Sequence, residues 1–120
     1  MSNENLKLRT KQFALRVIKM VESPPKDQVS RVLSHQLLRA GTSVGANYRA
    51  ACRSKSTADF ISKMGTVEEE ADESGYWIEL LVDAGKISAT KASALLKEAG
   101  ELSAIAVASI NTARKSGNRR

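Results

Sequence analysis

The chain has 120 residues, 42% of them hydrophobic and 27% charged, with a net charge of +6, the balance of one globular domain rather than a disordered segment. No apolar run approaches the roughly 20 residues of a membrane-spanning helix, and the stretch from Met1 to Phe13 is too polar for a secretory signal. The single cysteine, Cys52, cannot close an internal disulfide, so a reducing, cytoplasmic setting with no membrane association is expected.

Taken in chain order, the periodicity predicts a first helix over residues 3–22. Leu6, Phe13, Ala14, Val17, Met20 and Val21 share one face there. Pro24 and Pro25 cannot continue it, and Asp27 is placed to cap a second helix over 27–53. The second stripe is Val29, Leu33, Leu37, Ala40, Val44, Asn47 or Tyr48, and Ala51. Ser56 or Thr57 then caps a third helix over 57–84, with Asp59 in its first turn and Gly85 at its end. Its stripe is Phe60, Met64, Val67, Ala71, Ile78 and Val82. Ser88 caps a fourth helix over 88–113, lined by Ala92, Leu95, Ala99, Leu102, Ala106, Ile110 and Ala113. Residues 114–120, with Arg114, Lys115, Arg119 and Arg120, are expected to form a flexible basic tail. With no strand alternation, the fold class is all-α, an antiparallel up-and-down four-helix bundle.

The segment Leu37–Ser56, LLRAGTSVGANYRAACRSKS, contains Gly41 and Gly45. A phosphate-binding P-loop needs four residues between its glycines and a lysine after the second. Three residues separate these two and no lysine follows, while the apolar stripe runs through without a break. As helical residues one turn apart they share a face, and each costs about 1 kcal/mol relative to alanine. Close backbone approach is the compensation expected, either between neighbouring helices of one bundle or between subunits.

Several apolar residues fall off the predicted core faces. Tyr76 and Leu80 lie opposite the third stripe with Trp77 between the two faces, and Leu8 and Leu15 lie outside the first. Such clusters mark interfaces, so a homo-oligomer is expected. The acidic run Glu68, Glu69, Glu70, Asp72 and Glu73 has helical spacing for a metal. Carboxylate-bridged metal bundles also need paired histidines, and His35 is the only histidine, so no metal or other cofactor is expected. Arg39 is instead expected to pair with Glu70 or Glu73, an ion pair that fixes register. His35 and Cys52 are roughly 25 Å apart along one helix and cannot form a dyad, so no enzymatic activity is expected.

Charge is distributed unevenly. Residues 1–57 hold eleven Lys/Arg against three acids, residues 58–83 hold eight acids against Lys63, and residues 84–120 hold seven basic residues against two acids. A basic surface of this kind attracts polyanions without sequence preference. The candidate nucleic-acid contacts are Arg31, Arg49 and Arg53 on the second helix, with Arg114, Lys115, Arg119 and Arg120 in the tail. Tyr48, Tyr76 and Trp77 serve packing, so contact with RNA or DNA is expected through the phosphate backbone. The alternative is an adaptor, a protein-interaction module whose partner contacts the acidic third helix or the surface of the assembled oligomer and which binds no nucleic acid.

Arg39, Thr42, Ser43, Gly45, Ala46 and Asn47, followed by Ser56, Asp59 and Phe60 and then by Glu70, Ala71, Glu73, Tyr76 and Trp77, carry a resemblance that covers nearly the whole chain. The sequence resembles the bacterial four-helix-bundle family named for reading frames inside intervening sequences of large-subunit (23S) ribosomal RNA. Where that family often has an acidic residue followed by glycine or alanine after the asparagine, this chain has Arg49, Ala50 and Ala51. The resemblance implies a homopentameric ring. It also implies kinship with accessory proteins of diversity-generating retroelements, and hence RNA and a reverse-transcriptase-type protein as partners.

Overall fold

Helix α1 spans Asn3–Val21, α2 Gln28–Cys52, α3 Thr57–Asp83 and α4 Ala89–Asn118, with no strand among the described residues. The structure is a computed structural model that describes residues 3–118. The start signals act as expected. Asp27 accepts a hydrogen bond from the Ser30 amide at 2.8 Å, Ser56 from Asp59 at 3.0 Å and Ser88 from Lys91 at 3.2 Å, each satisfying a free amide of the first turn. Gly85, at φ 74°, takes the left-handed conformation that ends α3. Helix α4 departs from expectation by running to Asn118 rather than stopping near residue 113. Ala113, Arg114 and Lys115 are good helix formers, and neither proline nor a capping residue interrupts them. Arg114 and Lys115 therefore sit on a helix.

Each helix packs on its neighbours in sequence, and α1 closes the circuit against α4, leaving α1 diagonal to α3. The result is a rod 54 Å long and 21 × 20 Å across. Its buried positions follow alternating steps of three and four residues: Leu6, Thr10, Phe13, Val17 and Met20 on α1, and Met64, Val67, Ala71, Ser74, Ile78 and Leu81 on α3. This is the heptad seam of left-handed bundles, and it corrects two of the expected stripes. On α3 the polar Ser74 conceals the seam, so Leu81 is buried where Val82 was expected, and Phe60 is only half-buried. On α2 Ser30 faces inward beside its cap, and Val29, in the first turn, is 51% exposed. The buried hydroxyls cost little because they are bonded: Thr10 donates to the Leu6 carbonyl at 2.9 Å and Ser74 to the Glu70 carbonyl at 2.8 Å.

Gly41 and Gly45 are both helical and both face α1. A Cβ on Gly41 would lie 2.7 and 2.9 Å from the two methyl carbons of Val17, and one on Gly45 would lie 3.1 Å from the Thr10 hydroxyl. The alternatives left open by the sequence are thereby resolved, because the close approach is made inside one bundle. Val17 is fully buried and β-branched, so it has no easy rotamer to retreat into. Gly41→Ala should therefore destabilise the protein despite the gain of about 1 kcal/mol in helix propensity. Overpacking at such a site costs about 1–3 kcal/mol, so the expected outcome is a lower melting temperature in a calorimetric or circular-dichroism melt.

Candidate functional site

The two ends of the rod differ chemically. At one end lie the α1–α2 and α3–α4 turns, tied together by the Lys86–Asp27 ion pair at 3.2 Å. At the other lie the start of α1, the α2–α3 turn and the last turns of α4. A cleft lined by Ser54, Lys55, Thr57, Phe60, Ala113 and Ser116 shows that the α2–α3 turn abuts the end of α4. Arg49 and Arg53 at the end of α2, Lys55 in the following turn, and Arg114 and Lys115 on the diagonal helix α4 all lie at this second end, all exposed. Among the described residues, none of these five enters an ion pair.

Arg31 does not join them. It lies roughly 27 Å from Arg49 along α2 at 1.5 Å per residue. There it lines a groove of about 600 Å³ with Pro24, Pro25, Lys26 and His35. Arg119 and Arg120 lie outside the described residues. In place of the single basic surface expected from the sequence, cations are distributed around one end of the rod, on α2, the α2–α3 turn and α4, with Arg31 apart from them.

The expected ion pair forms at the α2–α3 seam. Arg39 donates to Glu73 Oε1 at 3.1 Å, and the Trp77 indole approaches the same oxygen at 3.4 Å. Glu70 is left out, and its Oε2 is buried without a hydrogen-bond partner among the described residues. Burial pushes the Glu70 carboxyl above the ordinary carboxylate range, Glu73 and Glu69 push it further, and Arg39 pulls the other way. Tyr76 packs edge-on against Trp77 with ring centres 5.1 Å apart. Tyr76 is exposed, whereas Trp77 and Leu80 are half-covered by their own bundle. The Arg39–Glu73 bond also sets the antiparallel register, which puts Val32, two turns before Arg39, opposite Leu80, two turns after Glu73.

A second ion pair escaped sequence reasoning. Arg9 on α1 holds Glu98 on α4 by two hydrogen bonds, Nε to Oε2 and NH2 to Oε1, each 2.7 Å. Their separation of 89 positions leaves no local signal, and α1 offers several other basic residues. This fork closes the α1–α4 side, and Arg9 holds the Glu98 carboxyl below the ordinary range against the opposing effect of burial. Among the described residues no three His, Cys, Asp or Glu side chains converge as a metal would require. No helix among them is long and apolar enough to cross a membrane. His35 is exposed near one end of α2 and Cys52 is half-buried at the other.

Residues 5–108 match the family model described as 23S rRNA-intervening sequence protein. The chain belongs to the 23S rRNA-intervening sequence protein family. A crystal structure of a protein of unknown function from the S23 ribosomal protein family of Bacteroides thetaiotaomicron VPI-5482 is similar, at 34% identity and TM-score 0.81, covering 87% of this chain and 96% of that one. No curated protein matches. Three motif residues of this intervening-sequence family member meet at the α2–α3 seam. Arg39, Glu73 and Trp77 are bonded there, and Gly45 belongs to the α1–α2 contact.

The two carboxylates should act on stability with opposite signs. Glu98, depressed, lends its full stabilisation above the pKa of the unfolded carboxyl, about 4.3, and loses it as pH falls through the folded value. Glu98→Gln should cost about 1.5–3 kcal/mol at pH 7, the range for hydrogen bonds to charged groups, with the deficit shrinking on acidification. Glu70, raised, favours the fold most below the unfolded pKa and least once pH has risen through its folded value. Glu70→Gln should therefore raise the melting temperature at pH 7, and that gain should fade in acid. Melts of the two variants across pH 3–8 check both signs.

Proposed function

We propose that this protein is a non-enzymatic, nucleic-acid-binding helical bundle that acts in the cytoplasm as a homo-oligomer, with RNA the favoured ligand. The observation that carries the proposal is the set of Arg49, Arg53, Arg114 and Lys115 around one end of the rod, exposed and in no ion pair among the described residues, with Lys55 beside them although its amide and charge act on Asp59. Cations already paired with carboxylates would have to break those bonds to meet a phosphate; Arg49, Arg53, Arg114 and Lys115 need not. No aromatic side chain stands among the five, so the contact is to the phosphate backbone and weakly selective for sequence. Exposed Leu8, Leu15 and Tyr76 support self-association. A pentameric ring and a reverse-transcriptase-type partner are proposed with it on the family resemblance alone. In a ring the cluster is repeated in every subunit, so weak contacts combine through multivalency.

Binding of this type falls steeply with salt, by about 0.7 in log–log slope for each single-strand phosphate contact. Replacing Arg49, Arg53, Arg114 and Lys115 by alanine touches no buried position. That variant should keep its melting temperature and mass while losing RNA affinity and most of the salt slope in a filter-binding titration. Arg31→Ala should change the slope less, because Arg31 lies away from the cluster. If the unaltered protein retains neither RNA nor DNA at about 50 mM salt, where phosphate contacts are strong, nucleic-acid binding is refuted. The exposed acidic and apolar face of α3 then makes the protein an adaptor.

A further inference from the structure

We propose that the groove between the end of α1 and the start of α4 binds a small amphiphile, a phosphate monoester carried on an apolar body. Arg9 and Glu98 meet across the α1–α4 seam. In antiparallel neighbours, the residues two turns on from Arg9 and two turns back from Glu98 again lie opposite one another, which sets Arg16 against Lys91. Lys19, one turn beyond Arg16, stands on the same rim. Two cations facing each other across a seam repel, and among the described residues none of these three enters an ion pair. Arg16 acts on Glu98 only through space, because that carboxylate is already held by the Arg9 fork. The carboxylate that lines the groove is Glu22, about 9 Å along α1 from Arg16. Three cations against one carboxylate leave the groove a surplus of two positive charges.

Between the cations the groove has an apolar floor of Met20, Ala94 and Leu95 and a volume of about 590 Å³. It opens where helix–helix packing is sparsest, and its size is that of a small-molecule site between the helices of a bundle. An anion seated between Arg16 and Lys91 replaces their repulsion with two charge-assisted contacts, while an apolar body covers the floor. Length favours a small ligand over a peptide. The Arg9–Glu98 fork crosses the seam about 10 Å from Arg16 and Lys91, and a helix laid along the groove would run into it. Charge favours the phosphate head, which carries about −1.5 to −2 at pH 7 and so matches the surplus, where a carboxylate would neutralise half of it. The groove lies towards the end of the rod away from Arg49 and Arg114, so it is separate from the nucleic-acid contacts proposed above.

The test titrates the full chain, isotope-labelled at its methionine methyls, with octyl phosphate below its micellar concentration, followed by NMR and calorimetry. Met20 lines the groove and Met64 is fully buried on α3, so the Met20 signal should move while the Met64 signal stays. Octyl phosphate should bind at least about tenfold more tightly than inorganic phosphate or octanol, since each of these lacks one half of the contact. Nonanoate, with the same chain and a single charge, should bind more weakly than octyl phosphate. Lys91→Gln removes a cation and Ala94→Glu sets a carboxylate on the floor, both at exposed positions. Each variant should keep its melting temperature and weaken binding by about tenfold or more. Absence of binding up to the micellar limit, inorganic phosphate that binds as tightly as octyl phosphate, or affinity that neither variant lowers would each overturn the proposal. Nonanoate binding as tightly as octyl phosphate would overturn the assignment of the head group.

Discussion

How closely α1 lies against α2 governs much of the rest of the structure. Gly41 and Gly45 let the α1 backbone approach until Val17 and Thr10 fill the space where a Cβ would be. The depth of that seat carries Phe13 and Val17 into full burial. It also turns Leu8 and Leu15 outward on the reverse side. On the α4 side, where helix–helix packing is sparsest, the Arg9–Glu98 fork supplies a directional link that apolar contact does not. A helix held by steric fit along one edge and by a charged fork along the other has little freedom to rotate about its own axis. That constraint is what gives the exposed face of α1 a definite composition.

The α2–α3 seam works differently. Its polar layer is asymmetric: Glu73 collects both Arg39 and Trp77, while Glu70, one turn earlier, is left with a buried oxygen lacking a donor. Two carboxylates on one edge of a helix face a single guanidinium, so one must be under-satisfied. Polar layers of this kind cost stability but penalise slipped registers more heavily than the correct one. The seam therefore gives up some stability for a fixed alignment of α2 on α3. That alignment brings Val32 opposite Leu80.

Much of this was legible in the residues themselves. Local signals with a short-range cause were read correctly: the cap at Asp27, the terminator Gly85 and the unbroken helix through Gly41 and Gly45; of the alternatives the residues offered, Ser56 rather than Thr57 is the cap and Glu73 rather than Glu70 takes Arg39. Where the sequence misled, a longer-range effect had overridden composition. Ser74 occupies a core position because its hydroxyl can bond back to Glu70, which hid the seam that buries Leu81. Arg9–Glu98 joins the first helix to the last, and no spacing rule reaches that far. The end of α4 reads in sequence as a frayed tail because it contains Gly117 and Asn118 and no apolar anchor. Yet Gly117 passes beside the Thr57 methyl, which would sit 3.4 Å from an added Cβ, so the last turn leans on the start of α3.

An even number of antiparallel helices returns the chain to the end from which it started. Both ends of the described chain thus lie at the end of the rod that carries Arg49, Arg53 and Lys55, while the opposite end presents Pro24, Pro25 and the α3–α4 turn. Rotational symmetry about an axis along the rods never inverts a subunit, so copies related by it would all present the same end in the same direction. Such a particle would have a polarity: one mouth cationic, the other rimmed by the turns. It could engage two different molecules at once, one on each mouth, without either competing for the other's site.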